Sequence, residues 1–285
     1  MLRRTIRRWV PFELRLGVAR ARREVRDRRS HATFSRKRGA PATFRFEICS
    51  YERRFIDYPG QEHLGPAKRR NQALLAAAIH ETLIAPGETF SIWKLAGRPT
   101  AARGYAAAAA LKNRQLISET GGAVCLLSTV VYNVALLGAM EIVERRAHSV
   151  DSYGPRRYFE LGRDAAIEFG YLDLRFRNPH AYPVLLTAEV TDEKVTVSLR
   201  SQRERDFAVE LRVGEPVCAA PPMKVVIDPS LAPGEERVID PGLPGLTVRT
   251  WRLTTYADGR TLDEDLGISV HHAVPGAVAR GPRDG

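Results

Sequence analysis

Between Cys125 and Met140 the residues Leu126, Leu127, Val130, Val131, Val134, Leu136 and Leu137 cover most of the circumference of a helix. A helix that is apolar nearly all round cannot lie on a surface, so the rest of the chain has to enclose it. The pattern begins directly after Gly121-Gly122-Ala123-Val124, where the glycine pair permits a tight turn and a close approach of backbone to a substrate. Cys125 then opens the helix, with the positive end of the helix dipole at its sulfur. Both features favour thiolate, the reactive form. His148 and Asp164 follow in the order of a general base and the group that orients it.

The rest of the chain supplies what would pack on that helix. With 285 residues and 44% hydrophobic content, a substantial core is affordable in one large domain or two smaller ones. Upstream, Thr43 to Cys49 alternates like a strand, and Lys68 to Ile84 has helical spacing stopped by Pro86-Gly87. Thr89 to Leu95, with the turns Gly97-Arg98-Pro99 and Arg103-Gly104-Tyr105, reads as a loop packed against the core. Downstream of Gly138, strands are expected over 142–150, 165–169, 172–177, 184–190 and 194–199. The expected class is α+β: a buried helix carrying Cys125 packed on an antiparallel sheet that carries His148 and Asp164. Residues 223–285 read as short strands joined by proline and glycine turns, a small all-β extension reached through a connecting strand and a proline-rich linker at 203–222.

Charge is confined to one end. Residues 1–40 hold 14 Lys/Arg against Glu13, Glu24 and Asp27, a net of +11, and the remaining 30 basic residues are matched by 30 acidic ones. The net charge therefore belongs to a basic arm. Phe12 to Arg29 reads as a weakly amphipathic basic helix. Its uses divide between a solvated extension, adhesion to an anionic membrane surface and nucleic-acid binding; against the last, the arm carries few aromatics and no nucleic-acid fold motif. No segment is long and apolar enough to span a bilayer, and no signal-peptide pattern is present, so a cytoplasmic location is expected, peripheral at the inner membrane face if the arm adheres. Cys49, Cys125 and Cys218 are an odd number without metal-ligand spacing, so no disulfide framework, metal site or cofactor is expected.

Several motifs in order resemble the VanW family, named after an accessory protein of vancomycin-resistance clusters. They are Pro86-Gly87-Glu88-Thr89-Phe90-Ser91, Gly97-Arg98-Pro99, Arg103-Gly104-Tyr105, Gly121-Gly122, Cys125, Ser128, Val143-Glu144-Arg145, His148-Ser149 and Gly162-Arg163-Asp164. The tail resembles the glycine-named G5 module often attached to such proteins, for which sugar binding has been suggested; a plain β-hairpin extension of the main sheet is the other reading. The resemblance divides the chain into the arm (1–40), a VanW-like α+β domain (41–202), the linker (203–222) and the β module (223–285). It implies a link to the bacterial cell envelope and glycopeptide resistance. The chain departs from the family pattern at Ala123, Leu126 and Arg146, where glycine, glutamine and histidine are usual.

Two functions fit these residues. One is a thiol-dependent hydrolase or acyl transferase on a peptidoglycan precursor, with Cys125 as nucleophile, His148 as base and acid, and Asp164 as orienting group. The other is a non-catalytic accessory protein that binds a muropeptide or a partner in a cleft edged by Gly121 and Gly122, with Trp93, Arg103 and Tyr105 supplying stacking and anion contacts. Leu126 cannot replace a glutamine's hydrogen bonds, and so favours the second.

Overall fold

The computed structural model describes residues 11–56, 62–112 and 115–282. The first ten residues of the basic segment lie outside this set. Helix α1 (Phe12–Arg29) leads to strand β1 (Phe46–Arg54), helix α2 (Gly65–Ile79), strands β2 (Thr82–Ile84) and β3 (Thr89–Ser91), and the short helix α3 (Ile92–Ala96). A hairpin, β4 (Ala107–Lys112) and β5 (Gln115–Thr120), precedes helix α4 (Cys125–Leu137). Strands β6 (Glu141–Glu144), β7 (Arg175–Arg177), β8 (Val184–Val190) and β9 (Lys194–Ser201) follow.

Strands β1, β9, β8 and β2 form an antiparallel sheet in that order, and β3, β7 and β6 form a smaller one. Strict alternation along β9 sends Val195, Val197 and Leu199 inward. Helix α4 lies against β1 and β9. Its residues from Leu126 to Leu136 are all buried, as its all-round apolar pattern requires. Cys49 of β1 closes this contact: its Sγ lies 3.5 Å from the Val134 carbonyl oxygen.

The remaining strands form a mixed all-β region. Strands β10 (Phe207–Val213), β11 (Val217–Ala219), β14 (Gly245–Tyr256) and β15 (Thr261–His271) make one sheet centred on β14. Strands β12 (Met223–Ile227), β16 (Gly276–Arg280) and β13 (Glu236–Asp240) make another, with β12 parallel to β16. Residues 203–222 supply two of these strands. Strands β10 and β11 pair along β14, and the alternation of Phe207, Val209 and Leu211 was the signal for the first of them.

Several expectations are corrected. The helix expected over 68–84 stops at Ile79, because the chain reverses through Glu81 at φ 58° and Thr82-Leu83-Ile84 pairs with β8. Thr89 to Leu95 is a strand and a helix rather than a loop; the Ser91 hydroxyl caps α3 by accepting from the Lys94 N–H (3.1 Å). Residues 165–169 do not form a strand, and of 172–177 only Arg175–Arg177 does. His148 and Asp164 both lie in irregular segments rather than on the sheet.

The basic segment is likewise not a free arm from Phe12 onward. Leu16 is buried against Gly170, where any side chain would collide with it. Arg23 forks onto Glu144 (2.6 and 2.7 Å), and Asp27 pairs with Arg175 (2.6 Å) and Lys94 (3.0 Å). Residues after the helix continue along the body through bridges from Phe34 to Thr89 and from Arg38 to Thr82.

Candidate active site

Helix α4 is apolar, yet Cys125, Ser128, Thr129 and Asn133 fall at spacings of three and four and so share one face. That face binds the backbone of the segment carrying Asp164. Ser128 Oγ donates to the Ala165 carbonyl (2.6 Å), the Ala165 N–H donates to Thr129 Oγ1 (3.1 Å), and Asn133 Nδ2 donates to the Arg163 carbonyl (2.9 Å). Cys125 Sγ lies 3.8 Å from the Ile167 carbonyl oxygen at the same seam. The polar face of an otherwise apolar helix thus draws Asp164 alongside the thiol.

His148 follows β6 in an irregular loop that pairs back through the Ala166 N–H to the Arg146 carbonyl (2.8 Å). Asp164 Oδ2 accepts from both the backbone N–H of His148 (2.7 Å) and its ring Nδ1 (2.7 Å). The Cys125 side chain acts on the same ring and favours its charged form. Ring Nε2 also faces the Tyr158 hydroxyl at 3.1 Å. The imidazole stacks on Phe159, with centroids 5.5 Å apart.

Burial works against a charged His148, but its hydrogen bond to Asp164 and its interaction with Cys125 prevail and raise its pKa to about 10. Burial likewise pushes the Asp164 carboxyl up, while the hydrogen bonds and charge of His148, with Arg145 beside it, hold it down to about 2. Burial, with the Cys125 and Asp151 charges nearby, lifts the Tyr153 hydroxyl to about 12, so it stays protonated. The pair is built for an imidazolium against a carboxylate.

The turn before Cys125 is held from α2. Asn71 Nδ2 donates to the carbonyls of Ala106 and Gly122 (2.9 Å each), and Gln72 Nε2 donates to the Ala123 carbonyl. Gly121 has φ 79°, and a Cβ there would stand 2.5 Å from Pro99 Cβ, so the space its missing side chain opens is filled by Pro99. Gly122 is buried as well. Ala123 takes the left-handed conformation at φ 60°. Leu126 points into the core.

The first N–H groups of a helix lack intrahelical acceptors. Here the Leu127 N–H is taken by Gln72 Oε1 (3.0 Å).

Three expected contact residues serve elsewhere. Trp93 Nε1 donates to the Leu172 carbonyl (2.7 Å), and its ring meets the edge of Phe169. The Arg103 guanidinium donates to the carbonyls of Ala96 and Arg98. Tyr105 is 5% exposed and presents no face for stacking. In their place the site holds Arg145, Tyr153, Tyr158 and Phe159, which sequence reading did not select. Arg145 Nε donates to the Asp164 carbonyl (2.6 Å) and Nη2 to Asp164 Oδ1 (2.9 Å). No group of three or more His, Cys, Asp or Glu side chains arranged to hold a metal occurs among the described residues.

Two family models match the chain. A family model described as "VanW like protein" matches residues 67–200, and one described as "G5 domain" matches residues 213–283. The uncharacterized protein YoaR of Bacillus subtilis is 30% identical over 135 residues, 47% of this chain and 43% of that protein. The vancomycin B-type resistance protein VanW of Enterococcus faecalis is 31% identical over 126 residues, 44% of this chain and 46% of that protein. The chain thus spans less than half the length of these curated relatives. Among solved structures, the IgA1 protease G5 domain covers 28% of this chain and 96% of its own, at 20% identity and a TM-score of 0.20. The HP0197 G5 domain covers 27% and 99%, at 18% identity and a TM-score of 0.19. The chain carries a VanW-like domain over residues 67–200 followed by a G5 domain over residues 213–283.

Proposed function

We propose that the VanW-like domain is a cysteine-dependent hydrolase or acyl transferase acting on an amide bond of a peptidoglycan precursor. The observation that carries this reading is the buried hydrogen bond between His148 and Asp164, with the Cys125 side chain acting electrostatically on the same ring. With His148 already carrying the proton, Cys125 Sγ attacks the carbonyl carbon as a thiolate, and the carbonyl oxygen becomes an oxyanion held by the N–H groups of Cys125 and Leu126. Collapse breaks the C–N bond, and His148 gives that proton to the leaving amine. Water, or an acceptor amine in the transfer reaction, then attacks the thioester and restores the thiol. Backbone donors serve the oxyanion, so the leucine at 126 does not remove this function.

The envelope as setting is supported by similarity to a vancomycin-resistance protein and by a G5 domain, a class generally associated with cell-wall glycans. Iodoacetamide alkylation of Cys125 between pH 5 and 10 tests activation. Reaction at neutral pH about tenfold faster than in the urea-unfolded chain is expected; an equal rate ends the enzymatic reading.

One observation favours a non-catalytic binding role instead. The Tyr158 hydroxyl sits against His148 Nε2, the nitrogen a general base would use. Muropeptide binding unchanged by Cys125→Ala, with no turnover by the wild-type chain, decides for this role.

For location we propose the inner membrane face. Helix α1 exposes Leu14 (59%), Val18 (44%) and Val25 (48%) in one stripe among its arginines. Binding to vesicles of anionic lipid that weakens with salt, and is lost on Leu14→Ser with Val18→Ser, is expected; salt-independent partitioning counts against it.

A further inference from the structure

Each of the three elements that bear Cys125, His148 and Asp164 is bonded to β14, to β15 or to His272, which directly follows β15 in the G5 domain. At the Asp164 loop, Arg145 grips both the carboxylate and the backbone, and its Nη1 donates to Ser269 Oγ of β15 at 2.7 Å. Gly162 of that loop has φ 79°, and a Cβ there would collide with Thr250 Oγ1 of β14. At the His148 loop, the His272 N–H donates to the Ser149 carbonyl (2.7 Å), and Phe159 stands between the rings of His148 and His271, centroids 5.5 and 5.9 Å away. At the far end of α4, Arg252 of β14 donates to the carbonyls of Leu136 (3.2 Å) and Met140 (2.9 Å) while paired with Glu264. Ser269, Thr250 and Arg252 are all buried.

We infer that the G5 domain completes the site, and that Ser269 is a positioning residue which acts through Arg145 on Asp164 and so on His148. This rests on the reading of Cys125, His148 and Asp164 as a working triad. The chemistry is specific. Asp164 divides its two oxygens between the guanidinium and the imidazole, so the seat of Arg145 fixes the carboxylate on which His148 depends. Arg145 donates four ways, to Asp164 twice, to Gly162 and to Ser269, and its guanidinium lies over the Tyr132 ring, 4.9 Å from the centroid. Ser269 is the partner from the G5 side. Without its hydroxyl, one buried N–H of Arg145 loses its acceptor, and the guanidinium is free to tilt off Oδ1. A glycan or partner that shifts β15 would reach the triad by the same route.

The test uses the full chain with Ser269→Ala and Ser269→Thr, the latter keeping the hydroxyl. Two readouts are taken at matched thermal stability: the pH profile of Cys125 alkylation by iodoacetamide, and solvent exchange of the His148 Nδ1 proton by NMR in histidine-labelled protein. Ser269→Ala is expected to slow alkylation at neutral pH by about 3- to 10-fold, the worth of one ordinary hydrogen bond, to move the profile's midpoint, and to speed exchange of the Nδ1 proton. Ser269→Thr is expected to restore both. If Ala at 269 does not fold, Ser269→Cys, close in shape but a poor acceptor, takes its place. A folded variant with wild-type alkylation and exchange overturns the inference and leaves the triad intact. A wild-type Cys125 no more reactive than an unfolded thiol defeats the triad reading instead; the Nδ1 proton then still decides the coupling, since unchanged exchange overturns it and faster exchange supports it.

Discussion

At the scale of single residues, the His148–Asp164 pair sets how stability depends on pH. His148 is raised on folding, so its contribution is complete below its unfolded value near 6.5 and disappears as pH climbs through about 10. Asp164 is lowered, so its contribution is complete above its unfolded value near 3.8 and fades as pH drops toward about 2. Urea midpoints should be flat between these limits and fall on both sides, with the alkaline fall absent in His148→Ala. Asp164→Asn, which strips the partner from a buried imidazolium and from Arg145, should cost about 3–5 kcal/mol. Ala123 offers the opposite case. An alanine at φ 60° bears a penalty of about 1 kcal/mol that glycine escapes, so Ala123→Gly should raise the urea midpoint correspondingly. The nucleophile candidate, the histidine and the acid were legible from order along the chain and from the glycine pair. Arg145, Tyr158 and Phe159 were not, because their roles come from loops whose meeting depends on Ser128, Thr129 and Asn133, and a one-dimensional pattern marks only the apolar majority of that helix.

At the scale of elements, long periodic stretches declared themselves and short ones did not. The extent of α4 and the strands β8 and β9 could be read from periodicity, since many residues vote for each. β2 has three residues and continues an apolar run from α2, so a helical period absorbed it; the reversal at Glu81 leaves no compositional trace. The alanines of β4 have no strand preference of their own and pair only because β5 is adjacent. Helix α1 was readable as a helix, but its docking was not, for the residues that hold it are charged and resemble solvated surface. Asp27, buried between Arg175 and Lys94, is the key to that docking. Hydrogen bonds from both partners outweigh its burial and hold its pKa down. Asp27→Ala, leaving Arg175 beside Asp173 without its second carboxylate, should destabilise the fold by about 3 kcal/mol and make α1 the first segment cut in limited proteolysis. Leu16→Ala should act in the same direction by about 2–4 kcal/mol, measured by urea titration.

At the scale of the whole molecule, two sequence families meet in one continuous packing. Composition suggested a linker because prolines and charges cluster between Arg203 and Pro222, but β10 already belongs to the sheet that β14 centres. The join is polar and buried, with Arg252 reaching from β14 to the end of α4. The wild-type chain should therefore unfold in one calorimetric transition. Arg252→Ala, which strands Glu264, two helix carbonyls and that of Met140, should lower it by roughly 6–12 °C, on about 3 kcal/mol, and divide it into two. Thr250 gives the join a further meaning. Because its hydroxyl occupies the volume that any side chain at 162 would require, a tail grafted from another protein must bring a residue no bulkier to that spot. Recombination between distant homologues would then be filtered by one atom's worth of room, and the two families in this chain would be inherited as a matched set.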